Sequence, residues 1–389
     1  MKNKLIGIAA FAAVSGVAHA QSSVTLYGII DVGLNYNSNS GGHPNYFMSS
    51  GVNNGSRWGL RGAEDLGGGL KAVFDVENGF DVTNGKAVQG GLEFGRQAWV
   101  GLSSATWGTL TLGRQYDFAV DYIGPFAVGD QGGGNVAAHP GDIDNLNNNF
   151  RVNNAVKYQS PKFGGLKFGA LYSFGGTAGS TGRNQIYSAG VHYAYGPFSA
   201  GVAYLNAKNP NISFFGNSST STVTAAATNF STPIYSGYLS ANTYQNIAAG
   251  AMYEIGKLSV SGTYTNIQFR GLGDLSSGPN PYHYSGNAVF NNVELGLHYK
   301  LRPDIEFGLA YDYMAGSHVN SNSGATYNQV AASATYALSR RTVVYGLASY
   351  QHASGTDSKN EPAVAAINLQ SASTSNNQTF VRIGIRTRF

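Results

Sequence analysis

The feature that most constrains this chain is an alternation of apolar and polar residues with a period of two. The clearest example sets a mostly apolar face against a face of arginine and glycine: Val381, Ile383, Ile385, Thr387 and Phe389 against Arg382, Gly384, Arg386 and Arg388. The pattern recurs around Leu295 and Leu309, where the second face carries Glu294 and Asp312. Successive side chains of a β-strand point to opposite faces, so this period predicts strands with two different surfaces.

About sixteen such segments follow one another, and the connections between them alternate in length. Tight turns such as 65–69 and 103–107 alternate with long connections, the first predicted at 38–55 and the third at 117–150. Charges occupy the second face of strand after strand, which a dry core does not tolerate. A closed antiparallel barrel with water inside and lipid outside has this pattern, with short periplasmic turns and long external loops. We therefore predict an all-β transmembrane barrel of sixteen strands.

Composition points to the same class of protein. Charged residues make up 11% of the 389 residues, against about 25% in a typical soluble domain. The longest apolar stretch, Leu5 to Val14, is shorter than the roughly 20 residues of a membrane-spanning helix. The formal net charge is only +4 and acidic residues occur throughout, so we expect no binding of nucleic acid.

The first twenty residues have the pattern of a secretory signal peptide. Lys2 and Lys4 precede the apolar stretch, and Ala18-His19-Ala20 forms an A-x-A cleavage site. We predict cleavage between Ala20 and Gln21, which leaves residues 21–389 as one barrel domain. The chain has no cysteine, so its stability in an oxidising compartment does not depend on disulfides.

Nothing in the sequence predicts a reaction. The zinc-protease pattern H-E-x-x-H, the nucleophile elbow G-x-S-x-G and the phosphate-binding G-x-x-x-x-G-K-[ST] are all absent. The eight histidines lack metal-ligand spacing. We therefore expect neither enzymatic activity nor a cofactor nor a metal site.

The third long connection stands out by its charge. No Lys or Arg lies between Arg114 and Arg151, and the interval holds five aspartates: Asp117, Asp121, Asp130, Asp142 and Asp144. Loops of more than about 15 residues usually have a function. The composition alone leaves two interpretations open, a loop folded into the barrel that presents carboxylates to a basic wall, and an acidic loop on the outer surface.

Five stretches of this sequence are similar to the trimeric porins of Gram-negative bacteria, most of all the general porins of β-proteobacteria. These stretches are Ser23–Asp31, Ser56–Gly68, Phe94–Leu102, Gly113–Tyr116 and the terminal Phe389. The resemblance implies a homotrimer whose third loop folds inward to form a constriction facing a cluster of arginines. It also implies that Phe389 is a signal read by the outer-membrane assembly machinery.

Carried over position by position, the resemblance places the arginine cluster at Arg57, Arg96 and Arg151. Arg61 shares the face of Arg57, which supports a lumen position for both. Arg96 shares its parity with Val100 and Leu102, so its direction is less clear. The family's acidic motif in the third loop is not reproduced, and the expected substitutes are Asp121 and Asp130, which flank Gly124-Pro125.

Four further charged residues, Asp31, Arg382, Arg386 and Arg388, are predicted to line the lumen, although pairing of the arginines with acids of adjacent strands is an equal alternative. Arg114 shares parity with Leu110 and Leu112, which favours a role at an interface or in anchoring a loop. Aromatic residues near strand ends, Tyr27 and Tyr195 among them, are expected at the membrane–water boundary.

The function that follows is passive diffusion of ions and small hydrophilic solutes, with a weak preference for anions. Two alternatives remain open, a solute-specific channel with a binding site at the constriction and a structural or adhesive surface barrel with a filled lumen. The expected surroundings are outer-membrane lipid and lipopolysaccharide.

Overall fold

The computed structural model describes residues 23–216 and 226–389. The predicted signal peptide and its cleavage site at Ala20 and Gln21 lie outside the described residues. In those two ranges no helix has the length and apolar character needed to cross a bilayer.

One antiparallel sheet contains all the strands of the described chain. Its members are β1 Ser23–Ser40, β2 His43–Ser50, β3 Arg57–Gly67, β4 Leu70–Gly79, β5 Gln97–Ser104, β6 Gly108–Gln115, β7 Val152–Gln159, β8 Leu166–Ser173, β9 Ile186–Tyr195, β10 Phe198–Lys208, β11 Thr243–Ile255, β12 Leu258–Leu272, β13 Gly286–Arg302, β14 Ile305–Gly316, β15 Ala325–Ala337, β16 Thr342–Gly355 and β17 Asn377–Arg388. Two short helices, α1 Phe118–Tyr122 and α2 Pro210–Ser213, lie in connecting loops.

The sheet closes through β1, which pairs with β17 along one edge and with β2 and β3 along the other. β2 and β3 pair with successive stretches of the same edge of β1, so the two together fill one strand position. The seventeen strands therefore fill sixteen positions around the barrel, which are called staves here, and the predicted strand number is confirmed. The predicted long connection at 38–55 is wrong. A tight hairpin at Gly41 and Gly42 joins β1 to β2. Residues 51–56 interrupt the stave between β2 and β3 and fold into the barrel.

The two faces of the strands differ as their alternation predicts. On β13, Leu295 is 63% exposed on the outside of the barrel, whereas its neighbour Glu294 is 1% exposed on the inside. On β17, Val381, Ile383 and Ile385 are exposed on the outer face. A lipid bilayer requires both features of this barrel. The outward apolar band contacts lipid, and the closed sheet leaves no backbone polar group unpaired at an edge. Tyr27 departs from its predicted boundary position, since its side chain points into the barrel.

The connection between β6 and β7, residues 116–151, folds into the barrel and is named L3 here. It begins with Asp117, whose carboxylate caps α1 by accepting hydrogen bonds from the N–H groups of Ala119 and Val120. Three segments of 3₁₀-helix and one π-helical turn follow. The inward interpretation of this loop is therefore confirmed, and the surface interpretation is wrong.

Glycines on the inner wall make room for L3. A Cβ atom on Gly190 would lie 2.8 Å from the Tyr122 ring, and one on Gly250 would lie 2.7 Å from the Phe126 ring. Three further wall glycines are in similar contact with L3: Gly169 with Phe118, Gly201 with Ile123 and Gly296 with Val128. These five glycines lie on five different strands between β8 and β13, so together they form a shallow track that the loop follows.

A second loop lies between β10 and β11 and is named L5; its described residues, 209–216 and 226–242, pack beside L3. Its aromatic side chains and those of the wall form one buried cluster: Phe214, Phe215, Phe230, Tyr235, Tyr238, Tyr244 and Phe269. Tyr244 donates a hydrogen bond to the carbonyl of Ile143 in L3 at 2.8 Å. This half of the barrel interior is therefore filled with apolar contacts, and open space remains on the opposite side, beside β3 to β5.

Candidate channel constriction

Two arginines of the open side are held by a shared carboxylate. Arg96 Nε lies 2.6 Å from Glu77 Oε1, and Arg57 Nε lies 3.5 Å from Glu77 Oε2. Tyr27 and Tyr116 donate hydrogen bonds to the same carboxylate at 3.0 and 3.1 Å. A carboxylate with four partners fixes the directions of both guanidinium groups and leaves their remaining N–H donors available to a solute.

Arg151 adds a third guanidinium to this group. Its carbon Cζ lies 5.7 Å from the centre of the Tyr116 ring, and Nη1 donates to the Asn149 carbonyl at 2.9 Å. Within the described residues Arg151 forms no ion pair with a carboxylate. Burial and the positive charge of Arg96 lower the pKa of Arg151, but a guanidinium remains protonated at neutral pH.

Arg57, Arg96 and Arg151 line one cavity of about 830 Å³. Asp130 of L3 lies across the same cavity and within electrostatic reach of Arg57. Residues of L5 and of the 356–376 loop form its rim, among them Thr232 and Asn368. Three guanidiniums with Glu77 on the wall and the carboxylate of Asp130 on the loop place a transverse field across the space. Asp81 is the third acid that lines the cavity, and its carboxylate accepts hydrogen bonds from Thr83 and Asn84 of its own loop.

Asp121, the other acid expected to face the arginines, has a different role. Its carboxylate accepts hydrogen bonds from Lys157 Nζ at 2.5 Å and from Gln159 at 3.2 Å, both on β7. It lines a separate cavity of about 340 Å³, on the side of the short turns. The prediction for Asp121 is wrong because α1, which carries it, turns this side chain towards β7 and away from the arginines. Gln97 borders both cavities, so it marks where they meet.

Arg61 lies on the inner face of β3 but outside the arginine group. It pairs with Asp75 at 2.9 Å, and its side chain is 61% exposed. Arg96 directly precedes β5, so the parity of that strand does not apply to it and its side chain turns inward. Arg114 is buried and donates to the Gly95 carbonyl at 2.9 Å, a contact between β6 and the loop before β5 that agrees with loop anchoring.

Asp31 and Arg382 do not line water as predicted. They form a fully buried ion pair of 2.8 Å, and Tyr345 donates to Asp31 at 2.6 Å. The interruption at 51–56 covers this pair, since the Asn54 N–H also donates to Asp31. The alternative of pairing with an adjacent acid is the one that the structure shows for Arg382.

The end of β17 is more open. Arg386 is half-buried on the inner face and donates to Asn53 Oδ1 at 2.6 Å, whereas Arg388 is exposed near the short turns. The backbone of Phe389 exchanges hydrogen bonds with Gly28 at 3.1 and 3.2 Å, and its side chain is exposed. The proposed assembly role of Phe389 stays a prediction.

Sequence reasoning missed three residues that hold the arginine group, Glu77 and the tyrosines Tyr27 and Tyr116 that donate to it. A signal for Glu77 was present, because it stands on the inner face of β4, beside the strand of Arg57. The track of wall glycines was also missed, although each of these glycines occupies a position of the polar or small face. Their shared role became visible only once L3 was in place.

Known proteins share this architecture and much of the sequence. The model of the Gram-negative porin family matches residues 7–356. The chain belongs to the Gram-negative porin family. Outer membrane porin protein 32 of Delftia acidovorans is 33% identical to this porin over 417 aligned positions, which cover 100% of both chains. An outer membrane porin protein of Bordetella pertussis is 41% identical over 236 residues, which cover 54% of this porin and 61% of the Bordetella protein.

Among solved structures, this porin is similar to one described as an anion-selective porin from Comamonas acidovorans. The TM-score is 0.70 at 25% identity, and the match covers 95% of this porin and 100% of the other chain. Family, relatives and the closed sixteen-stave barrel together establish a multi-pass β-barrel of the Gram-negative outer membrane.

Proposed function

We propose that this porin is a general diffusion channel, through which ions and small hydrophilic solutes cross the outer membrane passively with a weak preference for anions. The observation that carries the proposal is the charge around the main cavity. Three guanidiniums, of Arg57, Arg96 and Arg151, and three carboxylates, of Glu77, Asp81 and Asp130, line it, so the formal charges balance. The arginines are grouped, since Arg57 and Arg96 share Glu77, whereas Asp81 is bonded to Thr83 and Asn84 of its own loop. Fixed positive charge at a narrow point concentrates anions and repels cations.

The position of Asp130 gives the channel a second property. Its carboxylate lies on the loop side of the cavity and the guanidiniums lie on the wall side, so a field runs across the passage. Such a field orients dipolar solutes and disfavours apolar ones, because the low-dielectric walls focus the field of the fixed charges across the passage. Selection by polarity and size, rather than by one chemical structure, is what a general diffusion channel requires.

The proposed assembly is a homotrimer in lipid and lipopolysaccharide, inserted by the outer-membrane assembly machinery with Phe389 as the recognised residue. Three features support it: the apolar outer face of the strands, the exposed side chain of Phe389 and the resemblance to trimeric porins.

Reversal potentials in planar bilayers test the proposed selectivity. The double variant Arg57→Gln with Arg96→Gln removes two positive charges from the cavity and keeps polar side chains there. We expect the chloride-to-potassium permeability ratio in a salt gradient to fall by a factor of about 2–10, since fixed charges at a constriction produce potentials of a few kT. An unchanged reversal potential would remove these arginines from the conducting path.

Arg61→Gln is the matched control. It removes one guanidinium from the same strand and the same inner face but outside the main cavity, so its effect on the reversal potential should be small. The same recordings separate the alternative functions. A solute-specific channel would show saturable block of the current by one solute, and a structural or adhesive barrel would carry little or no ohmic current.

A further inference from the structure

A buried group of ionisable side chains lies where L3 meets the wall opposite the arginines. His139 comes from L3, Glu294 from β13 and Asp312 from β14, and each is at most 2% exposed. Glu294 and Asp312 are direct partners in the register of the two strands. Like charges in such positions repel each other, so this pair needs a compensating positive charge or a proton.

The charges of the group do not balance. Asp144 of L3 is also fully buried here, which makes three carboxylates, and in the described part of the chain His139 is the only basic side chain within ion-pair distance of them. The buried Asn292 amide lies beside Asp312, but among the described residues neither oxygen of Asp312 has a hydrogen bond of good geometry, and neither does Glu294 Oε2. Because a buried carboxylate without partners is strongly destabilising, these oxygens point to a missing ligand.

The separations of the group suit a metal ion. His139 Nε2 lies 3.5 Å from Asp312 Oδ2 and 3.8 Å from Glu294 Oε2, and one ligand atom from each residue lies within 4.8 Å of the others. Tetrahedral bonds of about 2.0–2.2 Å place neighbouring ligand atoms about 3.3–3.6 Å apart. Small side-chain adjustments would therefore bring all three atoms onto one ion.

The other ring nitrogen of His139 is already oriented for this role. Nδ1 lies 2.6 Å from Asp144 Oδ2, which also accepts a hydrogen bond from Thr265 at 2.8 Å. A carboxylate on one ring nitrogen is the usual partner of a metal-binding histidine, because it fixes the ring and directs the other nitrogen towards the metal. That other nitrogen, Nε2, lies 3.3 Å from Thr263 Oγ1, a contact that a bound ion would replace. No spacing in the sequence indicates such a site, because the ligands lie on three segments far apart in the chain.

We propose that His139, Glu294 and Asp312 bind one divalent transition-metal ion, with Asp144 as the positioning residue. One nitrogen and two carboxylate oxygens in a closed site fit Zn²⁺ or a similar ion, whereas Ca²⁺ takes six to eight oxygen ligands. The ion would neutralise the facing acids and fasten L3 to β13 and β14. Glu294 already bonds the loop, since its Oε1 accepts from the Val128 N–H at 2.9 Å.

Metal analysis of the full folded chain tests the site. The protein is refolded into detergent micelles with Zn²⁺ present, freed of loose metal by gel filtration, and assayed for zinc per chain. We expect one bound ion per wild-type chain and loss of that ion in His139→Gln and in Asp312→Asn. Asp144→Asn should weaken binding about 10–100-fold, the usual effect of losing such a partner.

The control is His298→Gln, because His298 faces a single acid, Glu306, at 3.4 Å near the short turns. This variant should keep its zinc. Refolding the wild type with Co²⁺ gives a readout that does not depend on any variant folding: a tetrahedral site produces intense visible absorption that Zn²⁺ displaces. The proposal would be overturned if the wild type retained no metal, or if His139→Gln and Asp312→Asn kept their zinc. Without a bound ion, protons would neutralise the acids.

Discussion

Charged side chains on the inner wall of this porin stand in two contrasting surroundings. On the side of β3 to β5, Arg57 and Glu77 border an open cavity. On the side of β13 and β14, Glu294 and Asp312 are sealed beneath L3. Both sets occupy inward positions of alternating strands and look alike in the sequence. L3 makes the difference, because its apolar residues cover the glycine track on one side only.

The comparison teaches that the open space of this barrel is smaller than its interior. Strand alternation decides which residues point inward, and the loops decide which of those residues meet water. We therefore expect selectivity to depend on the few charges beside the cavity. A sum over the whole inner face would also include the buried ion pairs.

The largest effect is expected where a sealed charge pair is broken. Arg382→Gln removes a guanidinium that is fully buried with Asp31 and also donates to Tyr345, Asn35 and Ser49 at 2.7–2.9 Å. We expect a loss of about 3–5 kcal/mol in the free energy of unfolding, because the Asp31 carboxylate would stay buried without its counter-charge. Urea titration of the detergent-solubilised protein measures it.

Arg61→Gln provides the contrast on the open side. Arg61 pairs with Asp75 at a similar distance of 2.9 Å, but more than half of its side chain is exposed, so the expected loss is below about 1 kcal/mol. Equal losses in the two variants would mean that burial does not separate the two kinds of pair.

An effect smaller than that of Arg382→Gln is expected from filling the glycine track. Gly296→Ala places a methyl group against Val128 of L3 and within 2.7 Å of Ser261 Oγ. We expect a loss of about 1–3 kcal/mol, as for other overpacked sites, together with altered single-channel conductance as L3 shifts. Gly346→Ala is the control, because its added methyl would lie 3.8 Å from the nearest atom. A stable Gly296→Ala variant with wild-type conductance would show that L3 does not depend on the track.

The sequence predicted the staves of the barrel because alternation is a local property of each strand. The sequence pattern placed a strand at each of the sixteen staves. It predicted a loop at 38–55, where the structure has β2, because the polar residues, glycines and proline of that segment are typical of loops. There β2 pairs with β1 through its backbone, as in Tyr36 opposite Tyr46, and such pairing leaves little trace in side-chain pattern.

Side-chain partners were harder to predict, because they depend on loops that cross the barrel. Arg382 and Arg57 have the same inward parity, yet only Arg382 is covered by the interruption at 51–56. Asp121 and Asp130 belong to one acidic loop, yet only Asp130 faces the arginines. No local pattern distinguishes the members of either pair, since the distinction arises from how L3 and its neighbours fold across the interior.

An effect smaller than that of Gly296→Ala concerns pH and the buried start of L3. Burial raises the pKa of Asp117 from 3.8 to about 6, so the folded chain holds this proton more tightly than the unfolded chain. The resulting stabilisation is present at low pH and is lost as the pH rises through about 6. Between pH 5 and pH 8 the wild type should therefore lose about 1 kcal/mol relative to Asp117→Asn. Urea titrations of both proteins across this range measure the difference, and parallel stability curves would show that Asp117 is as well solvated as a carboxylate of the open cavity.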